Sequence, residues 1–212
     1  MNEQEWLTGD LHQSLELLHG RGSDRKLELF SCACCRRVWH YLDEADREFV
    51  ESAERIVEGT GTTLDVARVE EVEGNWHTPR TDAGRFLGCL FHGRVSRTPV
   101  QIQWFLSHIH QPGEGRNTES SRVELLSQIL LLRDIFGNPF RTIAFNAAWR
   151  TSDVMLLANG IYAERAFDRM PILADALQDA GCDSDDILNH LRDATATHVR
   201  GCWALDLVLG KE

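Results

Sequence analysis

Three features of the sequence predict an all-α fold. Apolar residues recur at helical spacing in at least eight segments. Those segments open on Ser, Thr or Asp and often close on Gly. Strand-like alternation is scarce in a chain rich in Leu, Ala, Glu and Arg, all of them good helix formers. The expectation is one compact domain over residues 1–212 with about eight to ten helices and more than half of its residues helical, with room for a small irregular or hairpin insertion. At 42% hydrophobic the chain can bury a substantial core.

The elements follow in order. Asp10 caps a helix over Leu11–His19, which Gly20-Arg21-Gly22 breaks; Ser23 caps the next. That next helix, Asp24–Leu42, carries two apolar faces. Leu27, Phe30, Cys34, Val38 and Tyr41 form one; Cys32, Cys35, Trp39 and Leu42 form the other. Two such faces predict a helix buried on most sides at the centre of the core, leaving Lys26, Arg36 and Arg37 for solvent. Asp43 opens a helix through Val57, stopped by Gly59 and Gly61, with Glu44, Arg47, Glu51 and Glu54 on its exposed side. Thr63–Glu73 reads as a weaker acidic helix, Gly74–Pro79 as a loop, and Asp82–His92 and Pro99–His110 as helices. Residues 111–118 hold Pro, two Gly and Asn and read as a flexible loop.

Ser121 and Glu124 have capping-box spacing ahead of an apolar helix that Gly137-Asn138-Pro139 ends. Phe140–Trp149 suits a loop or a short strand equally. Ser152 or Asp153 opens a helix to about Phe167, and Pro171 opens one that stops at Gly181. Ser184 caps a short helix to Leu191. A last helix, His198–Leu209, ends at Gly210.

Several segments carry a family likeness. Leu132-Arg-Asp-Ile-Phe-Gly-Asn-Pro-Phe140, Tyr162-Ala-Glu-Arg-Ala-Phe-Asp168, Pro171-Ile-Leu-Ala-Asp-Ala176, Asp179-Ala-Gly-Cys182 and His198-Val-Arg-Gly-Cys-Trp203 resemble signatures of an uncharacterised family of planctomycete proteins. Leu29-Phe-Ser-Cys-Ala-Cys-Cys-Arg-Arg37 is similar to its N-terminal signature. The resemblance covers both ends of the chain and not Val57–Glu119. It implies one coherent globular unit and brings no reaction, cofactor or partner.

Composition limits the function classes. A net charge of −11 argues against a general nucleic-acid binder, which needs clustered Lys and Arg. No apolar run approaches the length of a membrane helix, and the N-terminus lacks the regions of a signal peptide, so a cytoplasmic protein is expected. Six cysteines then read as thiols or metal ligands rather than as a disulfide framework.

The richest chemistry lies near the C-terminus. Cys182, His190, His198 and Cys202 fall within a span of 21 positions. Zinc takes four ligands in a tetrahedron, and thiolate with imidazole is a common set. His198 and Cys202, four apart, share one face if the segment is helical; Cys182 and His190 can close the site. The other reading is that Cys202 and Trp203 fill the core, Cys182 packs at a helix end and the histidines face water. Cys32, Cys34 and Cys35 suit small core residues better than a redox pair, because they sit inside a helix rather than at its N-terminus.

Other constellations point to structure. Glu16-x-x-His19 has di-iron spacing but no second copy. The acidic run 179–186 lacks the Gly and Glu of a calcium loop and suits helix capping. Glu164, Arg165, Asp168, Arg169 and Asp175 suit an Arg–carboxylate network between helices. Phosphate loops, Gly-x-Ser-x-Gly and His-Glu-x-x-His are absent from the sequence. Two functions remain open. One is a cytosolic, non-catalytic helical module that interacts with or regulates a protein partner and needs no cofactor. The alternative is a zinc or iron enzyme, or a structural zinc protein, built on the C-terminal Cys/His set.

Overall fold

The computed structural model describes residues 1–18, 23–74 and 118–211. All regular structure among them is helical, as predicted: ten α-helices and three 3-10 turns. The expected helices at Asp82–His92 and Pro99–His110, and the loop residues 111–117, lie outside the described residues. The chain divides into two compact units, Glu3–Ile129 and Leu130–Glu212.

The first unit begins with α1 (Glu3–Thr8) and α2 (Leu11–Leu18). The Asp10 carboxylate accepts the Gln13 amide at 2.9 Å, capping α2, whose Leu11, Leu15 and Leu18 are buried one turn apart. The next helix, α3 (Asp24–Arg37), is shorter than the sequence predicts. Its core positions Leu27, Phe30, Cys32, Cys34 and Cys35 are all buried. It stops at Arg37, and the chain tightens into a 3-10 turn at Trp39–Tyr41 after Val38 donates to the Cys35 carbonyl at 3.1 Å. Leaving the helical register turns Trp39 out of the core. Its ring is half-buried and lies under the guanidinium groups of Arg36 at 4.6 Å and Arg47 at 5.7 Å.

Asp43 caps α4 (Glu44–Val57) through the Asp46 amide at 2.9 Å, and α4 packs against α3 and α5 (Thr63–Gly74). The expected exposed face of α4 is half correct. Glu44 and Glu51 are exposed, but Glu54 is buried. The Arg36 guanidinium donates to both Glu54 oxygens, at 2.6 and 2.7 Å. Arg37 makes the same fork to Glu124, with Nε and Nη2 each at 2.8 Å. Neither arginine is free in solvent as expected: the buried Glu54 carboxylate requires a matched cation, and the planar fork supplies one there and at the partly buried Glu124.

Helix α6 (Thr118–Phe136) starts upstream of the expected Ser121 cap. It ends where Gly137 takes φ +64 and donates to the Arg133 carbonyl at 2.9 Å.

The second unit holds α7 (Ser152–Glu164), α8 (Met170–Asp179), α9 (Asp185–Arg192) and α10 (Trp203–Leu209). Thr151, not Ser152 or Asp153, occupies the cap of α7, and that helix ends at Arg165 with φ +56 rather than at Phe167. Phe140–Trp149 carries no strand and closes on a 3-10 turn at Ala147–Trp149. Helix α8 packs on α7 and α9, and α10 packs on α7. Ile161, Leu173, Leu177, Leu191 and Leu205 are among the fully buried residues of their shared core. Burying each such side chain contributes about 1.5–3 kcal/mol. Arg150 donates to the Val208 and Leu207 carbonyls at 2.8 and 3.0 Å, closing the open end of α10. Of the expected Arg–carboxylate network, Arg169 pairs with Glu164 at 3.4 Å on the surface, while Asp175 pairs at 2.7 Å with Arg192, which the expectation did not include.

Among the described residues, no helix is long and apolar enough to cross a membrane.

Candidate metal centre

Three of the four residues singled out near the C-terminus converge, and the fourth place is filled by a residue that sequence reasoning passed over. Asp134, His190, His198 and Cys202 each present one ligand atom, and these atoms lie within 4.8 Å of one another. Cys182 is not among them. It is buried in the core of the second unit, where burial pushes its thiol up, and it packs at the end of α8.

Asp134 sits in the last turn of α6, beside the buried Leu131, Leu132 and Ile135. A carboxylate on the apolar side of a helix is the signal that could have found it. His190 projects from the last turn of α9. His198 and Cys202 are not on a helix. The last helix begins only at Trp203, and Cys202 is its N-cap residue. The four-residue spacing works here through a turn: Cys202 N–H donates to the Val199 carbonyl at 3.0 Å, and Gly201 adopts φ +87. The turn folds the two side chains back to 3.8 Å from Nδ1 to Sγ.

The cluster is tight. Asp134 Oδ1 lies 2.8 Å from His198 Nδ1 and 3.2 Å from His190 Nε2. His190 Nε2 lies 3.2 Å from Cys202 Sγ. A tetrahedral zinc site has edges of about 3.3 Å between nitrogen or oxygen ligands and about 3.6 Å from nitrogen to sulfur, given the usual bond lengths. Four of the six separations depart from these edges by roughly half an ångström or less, while the widest in the cluster, 4.8 Å, is longer than any such edge, so a bound ion would draw the ligands together. The second carboxylate oxygen, Oδ2, accepts the Val199 amide at 3.0 Å, which orients the group as an outer-shell partner orients a metal ligand.

Burial sets the electrostatics. The side chains of Asp134 and His198 are 4% and 6% exposed, and His190 is 19% exposed. Cys202 is fully buried. Burial by itself would push the Asp134 carboxyl up. The hydrogen bonds from His190 and His198, with their charge, outweigh it and hold the group below its ordinary range. An ionised carboxylate this deep needs donors or a cation, and the two imidazoles and the Val199 amide supply donors. Burial first, then Asp134, pushes the Cys202 thiol well above its ordinary value. As a bare thiol it is therefore no nucleophile, whereas a bound divalent cation deprotonates a coordinating thiol outright. His198 Nε2 is buried with no hydrogen-bond partner, so the polar contacts of the ring run through Nδ1.

The edges of the site are aromatic. The His190 ring stands edge-on to His198 at 4.9 Å and tilted over Trp203 at 4.9 Å. A side chain at Gly137 would meet the Trp203 ring at 3.0 Å, so the glycine that ends α6 also lets the indole seat beside the cluster.

The N-terminal cysteines form no comparable site among the described residues. Cys34 and Cys35 are completely buried, and burial pushes both thiols well above their ordinary value. They behave as small core residues. A scan against protein-family models, and searches of curated proteins and of solved structures, found no match to this chain.

Proposed function

We propose that the protein is a non-catalytic helical module whose C-terminal unit binds one zinc-class divalent cation. Asp134 Oδ1, His190 Nε2, His198 Nδ1 and Cys202 Sγ are its ligands. The observation that carries the reading is the buried convergence of two imidazoles, one thiol and one carboxylate, with four of their six separations close to tetrahedral edges. Four protein ligands fill the tetrahedron, which favours a structural or regulatory ion over a catalytic one, since catalytic zinc keeps a position for water. The thiolate favours zinc over magnesium or calcium, which take oxygen ligands. Bound there, the ion ties the end of α6 to α9 and to the turn before α10.

The test is the metal content of protein purified without an affinity tag or chelator, followed by titration with zinc. One equivalent per chain is expected, and Cys202→Ser should lower it. A chain that carries no metal and takes up none would refute the proposal and return the cluster to core packing.

A further inference from the structure

We infer that His190 is the port of this site: the ion enters and leaves the folded C-terminal unit by exchange of the His190 imidazole alone. The inference rests on the metal reading above. Three of the four ligands are sealed in. Asp134 is 4% exposed and pinned through Oδ2 by the Val199 amide. His198 is 6% exposed. Cys202 is fully buried, and its own carbonyl accepts the Asp206 amide in the first turn of α10 at 2.9 Å. Moving any of them means unpacking α6 or α10, and α10 alone contributes Ala204, Leu205 and Val208 to a fully buried core.

His190 differs. At 19% exposure it alone in the cluster reaches water substantially. Its ring forms the outer wall, between Trp203 and His198. Rotating that one side chain breaks contacts to Oδ1 and Sγ, both at 3.2 Å, and leaves the 2.8 Å link between Asp134 and His198 intact.

The folded unit does not depend on the ion. Its apolar core is continuous over α7 to α10, and the Asp134 carboxylate is already met by hydrogen-bond donors. Small zinc fingers, by contrast, have too little core to fold without metal. Occupancy is therefore reversible, with exchange faster than unfolding, as suits an ion that regulates rather than one locked in at synthesis.

Cobalt(II) tests this, because its visible spectrum reports tetrahedral coordination and a thiolate bond. The full chain, His190→Ala and His198→Ala are each loaded with cobalt, and free imidazole is then added. His190→Ala should release cobalt to a chelator about tenfold or more faster, because loss of a ligand acts mainly on the off-rate. Imidazole should restore its four-coordinate spectrum, since the space left by the ring opens to water. It should not restore His198→Ala, whose space is enclosed. Equal restoration of both variants, or of neither, would overturn the inference. A second measurement needs no variant: zinc release from the natural chain should outpace hydrogen exchange of the α7 and α10 core amides. Release no faster than that global opening would also overturn it. A chain that takes up neither metal defeats the metal reading itself, which the imidazole comparison does not.

Discussion

Asp134→Ala probes the centre of the site with and without metal. The carboxylate meets three nitrogens: His198 Nδ1 at 2.8 Å, Val199 N at 3.0 Å and His190 Nε2 at 3.2 Å. In the alanine variant the Val199 amide and the His198 ring lose a partner in a dry setting, at about 1–3 kcal/mol each. His190 can turn toward water and costs little. Relief from burying a charge offsets part of the loss. The net expectation is a loss of about 3 kcal/mol, against a total stability of roughly 5–15 kcal/mol for a domain. That should lower Tm by about 12–24 °C for a unit of this size. Helical circular dichroism, followed on heating in chelator, measures it. Zinc at a thousandfold excess over its Kd should add about 4 kcal/mol to the natural chain, and much less to the variant. If the variant melts within about 2 °C of the natural chain in chelator, and gains as much from zinc, the buried carboxylate is not the hub of the cluster.

Three further outcomes are expected. Glu54→Ala strands the Arg36 guanidinium beside an apolar core and should cost about 3 kcal/mol in urea unfolding, with Glu54→Gln costing less; equal loss from both would show that charge is irrelevant there. Gly137→Ala, at φ +64 and 3.0 Å from the Trp203 ring, should cost about 1–2 kcal/mol and shift indole emission, and an unshifted spectrum would mean that Trp203 does not rest on that glycine. The Asp65 carboxyl is held well below its ordinary 3.8, by the Arg55 guanidinium first and then by the amide and hydroxyl of Thr62. A lowered folded value means its stabilisation is present above the ordinary value and lost as pH falls below it. Asp65→Asn should therefore flatten the acid limb of the urea midpoint against pH, and parallel limbs would refute the assignment.

Much of the fold was legible because helices are local. The caps at Asp10 and Asp43 and the stops at Gly137, Gly181 and Gly210 are set by neighbours within one turn. The apolar face of α3 could be read for the same reason. Its end could not. Val38 satisfies a carbonyl by a 3-10 bond, and Trp39 then leaves the helical face and lies under the guanidinium groups of Arg36 and Arg47, the latter eight positions on. Glu54 looked solvent-facing because its partner lies eighteen positions away.

The site divides in the same way. His190, His198 and Cys202 are chemically conspicuous and close in sequence, so they could be named from residue type and spacing. The reason given for their meeting, a shared helical face, was wrong, since a turn at Gly201 brings His198 and Cys202 together instead. Cys182 has a ligand's chemistry but packs at the end of α8, and Asp134, 56 positions before His190, takes its place. Local pattern determined which segments are helices and which side chains carry metal-binding chemistry. Which of those side chains meet was decided only by tertiary packing, because Asp134 lies 56 positions before His190 and no local pattern carries the fold that brings them to 3.2 Å.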